Sequence, residues 1–165
     1  MGYVRNFETV SVQADLLEAQ PHSMHSLLAF FSLLAPSGHV ALMGYAVTSA
    51  VVAAVVVWIW RGRAPLDVRY GTLIIASVLV SPHLYTYDLV VLVGAFFLLA
   101  SWALRQNERR WLFWGLLYAA FYLPALKGLA ERTNIQWTVP VLMALLCHVA
   151  WSIARTPDET AVDLH

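Results

Sequence analysis

Four apolar stretches, separated by short polar segments, predict a series of long helices. The stretch 40–60 has no charged side chain and is followed closely by two arginines. The stretch 84–104 is equally long, and the shorter stretches 111–126 and 137–154 each begin at a tryptophan, a residue that anchors spans at the membrane–water interface. Because crossing a bilayer takes about 20 apolar residues, this pattern predicts membrane-spanning helices.

A fifth apolar stretch, predicted as a helix over 68–81, has an apolar part of only 11 residues and is too short to cross alone. One group of arginines precedes it and another follows 84–104: Arg61, Arg63 and Arg69, then Arg105, Arg109 and Arg110. If the segments 68–81 and 84–104 form two helices joined by a turn at Ser81-Pro82-His83, both groups lie on the cytoplasmic side, as the positive-inside bias favours. Pro82 favours a break there because it lacks an amide donor. A re-entrant second segment is the alternative.

The segment before the first span is polar at its start and then amphipathic. Over 21–35, apolar residues recur at helical spacing, with Ser26 and Ser32 assigned to the opposite face. The apolar residues of this predicted helix are Met24, Leu27, Leu28, Phe31 and Leu34. We expect the helix to lie along the outer interface or to cover a cavity there.

These elements predict an all-α fold: a polytopic transmembrane bundle of about five membrane segments plus an amphipathic extracytoplasmic helix. Residues 1–39 are expected outside, 40–155 form the transmembrane domain, and 156–165 form a cytoplasmic tail.

The composition agrees with a membrane protein, since 60% of residues are hydrophobic and 12% are charged, against roughly 45–50% and about 25% in soluble domains. Ten basic and ten acidic residues cancel, so no net field favours nucleic acid or an acidic membrane surface as a partner. The single cysteine, Cys147, excludes an internal disulfide, and its apolar surroundings predict that it is buried.

The segment 81–88 concentrates the side chains that could carry chemistry. His83, Tyr85, Tyr87 and Asp88 lie here between apolar runs. A carboxylate within a span costs about 2.5–3.5 kcal/mol at the bilayer centre, so Asp88 is expected to face a cavity or a partner. On a helix starting near residue 84, Tyr85 and Asp88 share a face. The structural alternative is that Asp88 joins helices through hydrogen bonds.

The sequence predicts no metal site. His22 and His25 are three residues apart with no nearby carboxylate, and His148 lies on a distant helix. The chain also has no glycine-rich phosphate loop and no nucleophile elbow. No cofactor is therefore predicted.

The stretch Ser81-Pro82-His83-Leu84-Tyr85-Thr86-Tyr87-Asp88-Leu89 resembles the S-P-H-x-Y-x-Y-D-L signature of bacterial glycosyltransferase family 87. The segment His22 to Ser26, before a leucine-rich helix, resembles that family's extracytoplasmic M-P-S segment, with His25 in place of the proline. The resemblance implies a GT-C fold in the bacterial plasma membrane. It also implies transfer of a hexosyl unit, of the mannosyltransferase type, from a polyprenyl-phosphate sugar donor to a lipid-linked or cell-envelope glycan acceptor at the outer face.

The resemblance implies roles for particular residues. The residues that would bind substrate are His83, Tyr85, Tyr87 and Asp88. Of these, His83, Tyr85 and Tyr87 would place hydrogen-bond donors near the oxygens of the phosphate leaving group. In GT-C enzymes the presumed catalytic acid lies in the loop after the first span, and 40–60 leads instead into arginines. No catalytic residue is therefore assigned. The resemblance implies that the chain is a C-terminal half, which we expect to be inactive alone. Two other functions stay open, a non-catalytic membrane scaffold and a transporter half that uses Asp88 as an ion site.

Overall fold

The computed structural model describes residues 26–35, 37–81, 90–106, 111–126, 132–133 and 135–155. Six α-helices occupy most of these residues, and the described ranges contain no strand, so the fold is all-α. The helices are α1 (Leu27–Leu34), α2 (Gly38–Arg61), α3 (Leu66–Val80), α4 (Val90–Arg105), α5 (Trp111–Tyr122) and α6 (Thr138–Arg155). A short 3₁₀ helix, Leu123–Ala125, continues α5.

Helix α1 begins one residue after Ser26, which is its N-cap. The Ser26 hydroxyl accepts a hydrogen bond from the Ala29 N–H at 3.3 Å, and Ser26 is buried. The assignment of Ser26 to a polar helical face is therefore wrong, because this residue precedes the helix and caps it. Ser32 is exposed, as expected, and donates to the Leu28 carbonyl. Leu34, an apolar residue in the last turn of the helix, is 53% exposed.

The short helix α3 is the centre of the bundle. It packs against α1, α2, α4 and α6. Its buried residues lie on several sides of the helix: Val68, Gly71, Thr72, Ile75, Ala76, Val78 and Leu79. Gly71 lets α4 approach closely, since a Cβ at this position would lie 2.9 Å from the Leu99 Cγ and 3.4 Å from the Ala95 carbonyl oxygen. The segment that is too short to cross a membrane alone thus has neighbours on most of its surface.

Two polar contacts fix the directions of α2, α3 and α4. Arg105 in the last turn of α4 forms an ion pair with Asp67 in the first turn of α3, so these helices are antiparallel. Near the other end of α3, the Tyr45 hydroxyl of α2 donates to the Val80 carbonyl at 2.7 Å. The arginines before α3 and Arg105 after it therefore lie at the same end of the bundle, as the charge distribution predicts.

Aromatic contacts continue the antiparallel order through α5 and α6. Trp102 of α4 and Phe113 of α5 have ring centroids 6.1 Å apart, and Phe96 and Phe121 have centroids 6.4 Å apart. The Phe113 ring also lies 6.2 Å from the His148 ring of α6. The C-terminus of α6 therefore lies at the same end as the C-termini of α2 and α4. We call this the arginine end; it carries Arg61, Arg63, Arg69, Arg105 and Arg155.

Helix α2 exposes most of its apolar surface. It has 24 residues, a length of about 36 Å at 1.5 Å per residue, and only 17% of its most apolar stretch is buried within the bundle. Met43 and Val47 are both more than 60% exposed. Within the described residues, α2 and the 18-residue α6 are long and apolar enough to cross a membrane. The apolar helices α4 and α5 are shorter.

The single cysteine lies on the outward surface of α6. The buried residues of this helix recur every three or four positions: Thr138, Val139, Leu142, Leu145, Leu146, Val149 and Ser152. Cys147 falls between them and is exposed. The prediction of a buried Cys147 is therefore wrong. Since apolar residues occupy both faces of α6, hydrophobicity around the cysteine could not indicate which face is packed.

Candidate functional site

The predicted site lies on the connection between α3 and α4. His83, Tyr85, Tyr87 and Asp88 are outside the described residues, as are His22 and His25. The described residues that flank the site, Ser81 and Val90, follow the last turn of α3 and begin α4. Both flanking residues lie at the end of the bundle opposite the arginine end, which we call the opposite end.

The end of α3 is held in place by the Tyr45 hydroxyl. The last four carbonyls of a helix have no partner within the helix, and the Val80 carbonyl accepts from Tyr45 at 2.7 Å. The Ser81 N–H in turn donates to the Ser77 carbonyl at 3.0 Å. These two bonds fix the backbone at Ser81, the first residue of the predicted motif. A hydrogen bond of this kind contributes about 0.5–1.5 kcal/mol to stability.

Helix α1 covers the same region from the side. The Phe31 ring of α1 packs on Gly44, where an added Cβ would lie 2.7 Å from the ring. Gly44 immediately precedes Tyr45, and α1 also contacts α3. The buried Leu27 belongs to the main hydrophobic core. Helix α1, the first turns of α2 and the last turn of α3 therefore form one packed unit at the helix end from which the predicted motif continues.

Buried uncharged polar groups also occur on α2 and at the start of α6. The Ser49 Oγ, one turn along α2 from Tyr45, is buried and has no hydrogen-bond partner among the described residues. Gln136 and Thr138 are buried at the start of α6. Hydroxyl and amide groups of this kind can bind sugar hydroxyls or phosphate oxygens. The described residues contain no group of three His, Cys, Asp or Glu side chains that could hold a metal ion.

Sequence reasoning missed the contribution of Tyr45. The signal was present in the stretch 40–60, where Tyr45, Thr48 and Ser49 carry the only hydroxyl groups. Their i, i+3 and i+4 spacing puts them on one side of a helix. A polar stripe within an otherwise apolar helix indicates the side that faces other helices.

Charge separates the two ends of the bundle. In the part of the chain that the structure describes, five arginines and Asp67 lie at the arginine end, while Arg132 is the one charged residue at the opposite end.

Comparisons with protein-family models, with curated proteins and with solved structures found no match to this chain. The observations define a class: an all-α bundle in which two helices are long and apolar enough to cross a membrane.

Proposed function

We propose that this chain belongs to an integral membrane glycosyltransferase. The enzyme transfers a hexosyl unit, of the mannosyltransferase type, from a polyprenyl-phosphate donor to a lipid-linked or cell-envelope glycan. The observation that carries this proposal is the S-P-H-L-Y-T-Y-D-L sequence at 81–89, together with the position of its flanking residues, Ser81 and Val90, away from the arginines.

The exposed apolar surface of α2 supports the membrane location. A helix that is apolar all round is found either in a protein core or in a membrane. Only 17% of the most apolar stretch of α2 is buried, so the bundle itself does not shield it. In water this helix would present a contiguous apolar patch, which soluble monomers rarely expose beyond a few hundred Å². A surrounding lipid bilayer would cover such a surface, which supports the proposed location.

The charge separation supports an orientation. Cytoplasmic loops of membrane proteins carry an excess of lysine and arginine. The arginine end carries five of the six arginines that the structure describes, and Arg132 is the sixth. With the arginine end in the cytoplasm, the ends of α3 and α4 that flank 82–89 lie near the outer face. A lipid-linked sugar donor at that face would reach the site from the surrounding bilayer.

The proposed chemistry assigns binding roles to the motif. His83, Tyr85 and Tyr87 supply hydrogen-bond donors for the phosphate oxygens of the leaving group. Asp88 accepts from a hydroxyl of the donor or the acceptor and thereby orients it. The contact of Tyr45 with Val80 holds the helix end from which this segment continues.

The test measures sugar transfer in native membranes. Asp88→Asn, introduced at the native locus, is expected to lower transfer from labelled polyprenyl-phospho-mannose at least about tenfold while the amount of inserted protein stays constant. Asp67→Asn is the matched control, because it removes the same charge at the arginine end. Wild-type turnover by Asp88→Asn would exclude Asp88 from the site. Loss of inserted protein with normal turnover per molecule would favour the scaffold function instead.

A further inference from the structure

The arginine end carries a concentrated positive charge that the proposed sugar transfer does not use. Its described residues include five arginines and one acidic residue, Asp67, so the net charge of this set is +4 (five minus one). The chain as a whole has a net charge of zero. The field at this end therefore comes from the spatial arrangement of the charges and not from an overall excess.

The loop between α2 and α3 holds part of this charge in a fixed position. The Arg69 Nη2 donates to the Gly62 carbonyl at 2.7 Å, which ties the first turn of α3 to the loop. The ion pair between Arg105 and Asp67 ties α4 to the same turn. Arg61 and Arg63 flank Gly62 and have exposed side chains. The loop thus presents two exposed guanidinium groups from a backbone that Arg69 braces.

Tryptophan residues collect at the same end. Six of the seven tryptophans lie within about one turn of a helix terminus there: Trp58, Trp60, Trp102, Trp111, Trp114 and Trp151. Trp58 is 50% exposed on the outward surface of α2, one turn before Arg61. The Arg155 guanidinium lies 3.9 Å from the centre of the exposed Trp151 ring of α6. Exposed indole rings beside arginines are typical of the headgroup level of a bilayer.

We propose that the arginine end binds the phosphate groups of anionic phospholipids, with Arg61 and Arg63 as the main contacts. Guanidinium groups match phosphate oxygens in charge and in their paired hydrogen-bond geometry. The exposed apolar surface of α2 beside Trp58 offers the acyl chains a place to pack. A soluble phosphate would not contact the apolar surface of α2, whereas a phospholipid would contact both this surface and the exposed arginines. This inference depends on the membrane location but not on sugar transfer.

The test titrates the full chain, purified in an uncharged detergent, with phosphatidylglycerol and with phosphatidylcholine of the same acyl chains. Native mass spectrometry measures the lipid-bound fraction. Phosphatidylglycerol is expected to bind more tightly, and Arg61→Gln/Arg63→Gln is expected to weaken it about five-fold for each arginine removed. Arg61→Lys/Arg63→Lys keeps the charge and should retain most of the preference. Arg132→Gln, at the opposite end, is the matched control and should bind as the wild type does.

Three results would overturn the proposal. One is equal binding of the two lipids. Another is a loss of binding in Arg132→Gln as large as that in Arg61→Gln/Arg63→Gln. The third is displacement of bound phosphatidylglycerol by an equal concentration of glycerol phosphate or inorganic phosphate, since the site would then recognise a soluble phosphate. Circular dichroism and gel filtration confirm that each variant is folded before it is titrated. None of these results bears on transfer by Asp88→Asn, so the two proposals fail separately.

Discussion

Replacing Gly71 by alanine tests the close packing of α3 on α4. The new Cβ would lie 2.9 Å from the Leu99 Cγ and 3.0 Å from its Cδ2. Leu99 is fully buried and cannot swing into solvent, so the helices must separate or the leucine must leave its preferred rotamer. Overpacking of this kind costs about 1–3 kcal/mol. Alanine also favours helix over glycine by about 1 kcal/mol, so the net loss of stability is expected to be about 0–2 kcal/mol.

Gly94→Ala is the matched control for this change. Gly94 is on α4, and a Cβ there would meet nothing within 4 Å. This variant has the higher helix propensity of alanine without the clash, so its free energy of unfolding should rise by up to about 1 kcal/mol. The difference between the two variants isolates the clash and should be about 1–3 kcal/mol. Equilibrium unfolding in mixed micelles, followed by circular dichroism, measures the free energy of unfolding of each.

Leu99→Ala provides a second check on the same contact. Alone it should destabilise the bundle by about 2–5 kcal/mol, because it empties a buried site. Combined with Gly71→Ala it should cost less than the sum of the two single changes, since the atoms that clash are gone. Equal stabilities for Gly71→Ala and Gly94→Ala, or additive effects in the double variant, would refute the proposed packing of α3 against α4.

Two further substitutions test the polar contacts that orient the helices. Tyr45→Phe removes the donor to the Val80 carbonyl and should lower the free energy of unfolding by about 0.5–1.5 kcal/mol; Tyr70→Phe, which removes a hydroxyl from an exposed tyrosine, should change it by much less. Asp67→Asn breaks the ion pair with the exposed Arg105 and should cost less than about 1 kcal/mol, an effect that weakens as salt is added. The unfolding titration used for the glycine variants measures the free energy of unfolding of all three variants. A larger loss for Tyr70→Phe than for Tyr45→Phe would contradict the hydrogen bond from Tyr45 to the Val80 carbonyl.

The arrangement of α3 and α4 could be predicted from charge. Arginines lie on both sides of the segment 70–104, and Pro82 interrupts it, so two antiparallel legs bring the arginines together. The ion pair between Asp67 and Arg105 shows this arrangement. Charge is informative here because it distinguishes the two ends of a helix even where its faces are uniformly apolar.

The packed faces could not be predicted in the same way. Helix α3 is buried on several sides and α2 is exposed on most of its surface, yet most residues of both helices are apolar. Hydrophobic periodicity separates core from surface only when the surface is polar. Cys147 was misassigned for this reason. The motif residues 83–88 fall outside the described part of the chain, so their roles stay predictions that rest on the resemblance.

The central claim is that the bundle lies in a membrane with its arginine end in the cytoplasm, and cysteine labelling tests it most directly. Cys147, exposed near the middle of α6, is expected to resist a charged maleimide in intact membranes and to react once the protein is denatured. In a Cys147→Ser background, Ser37→Cys at the opposite end should be labelled from outside the cell, and Gln106→Cys only after permeabilisation. Rapid labelling of Cys147 in membranes, or labelling of both introduced cysteines from one side, would contradict the account.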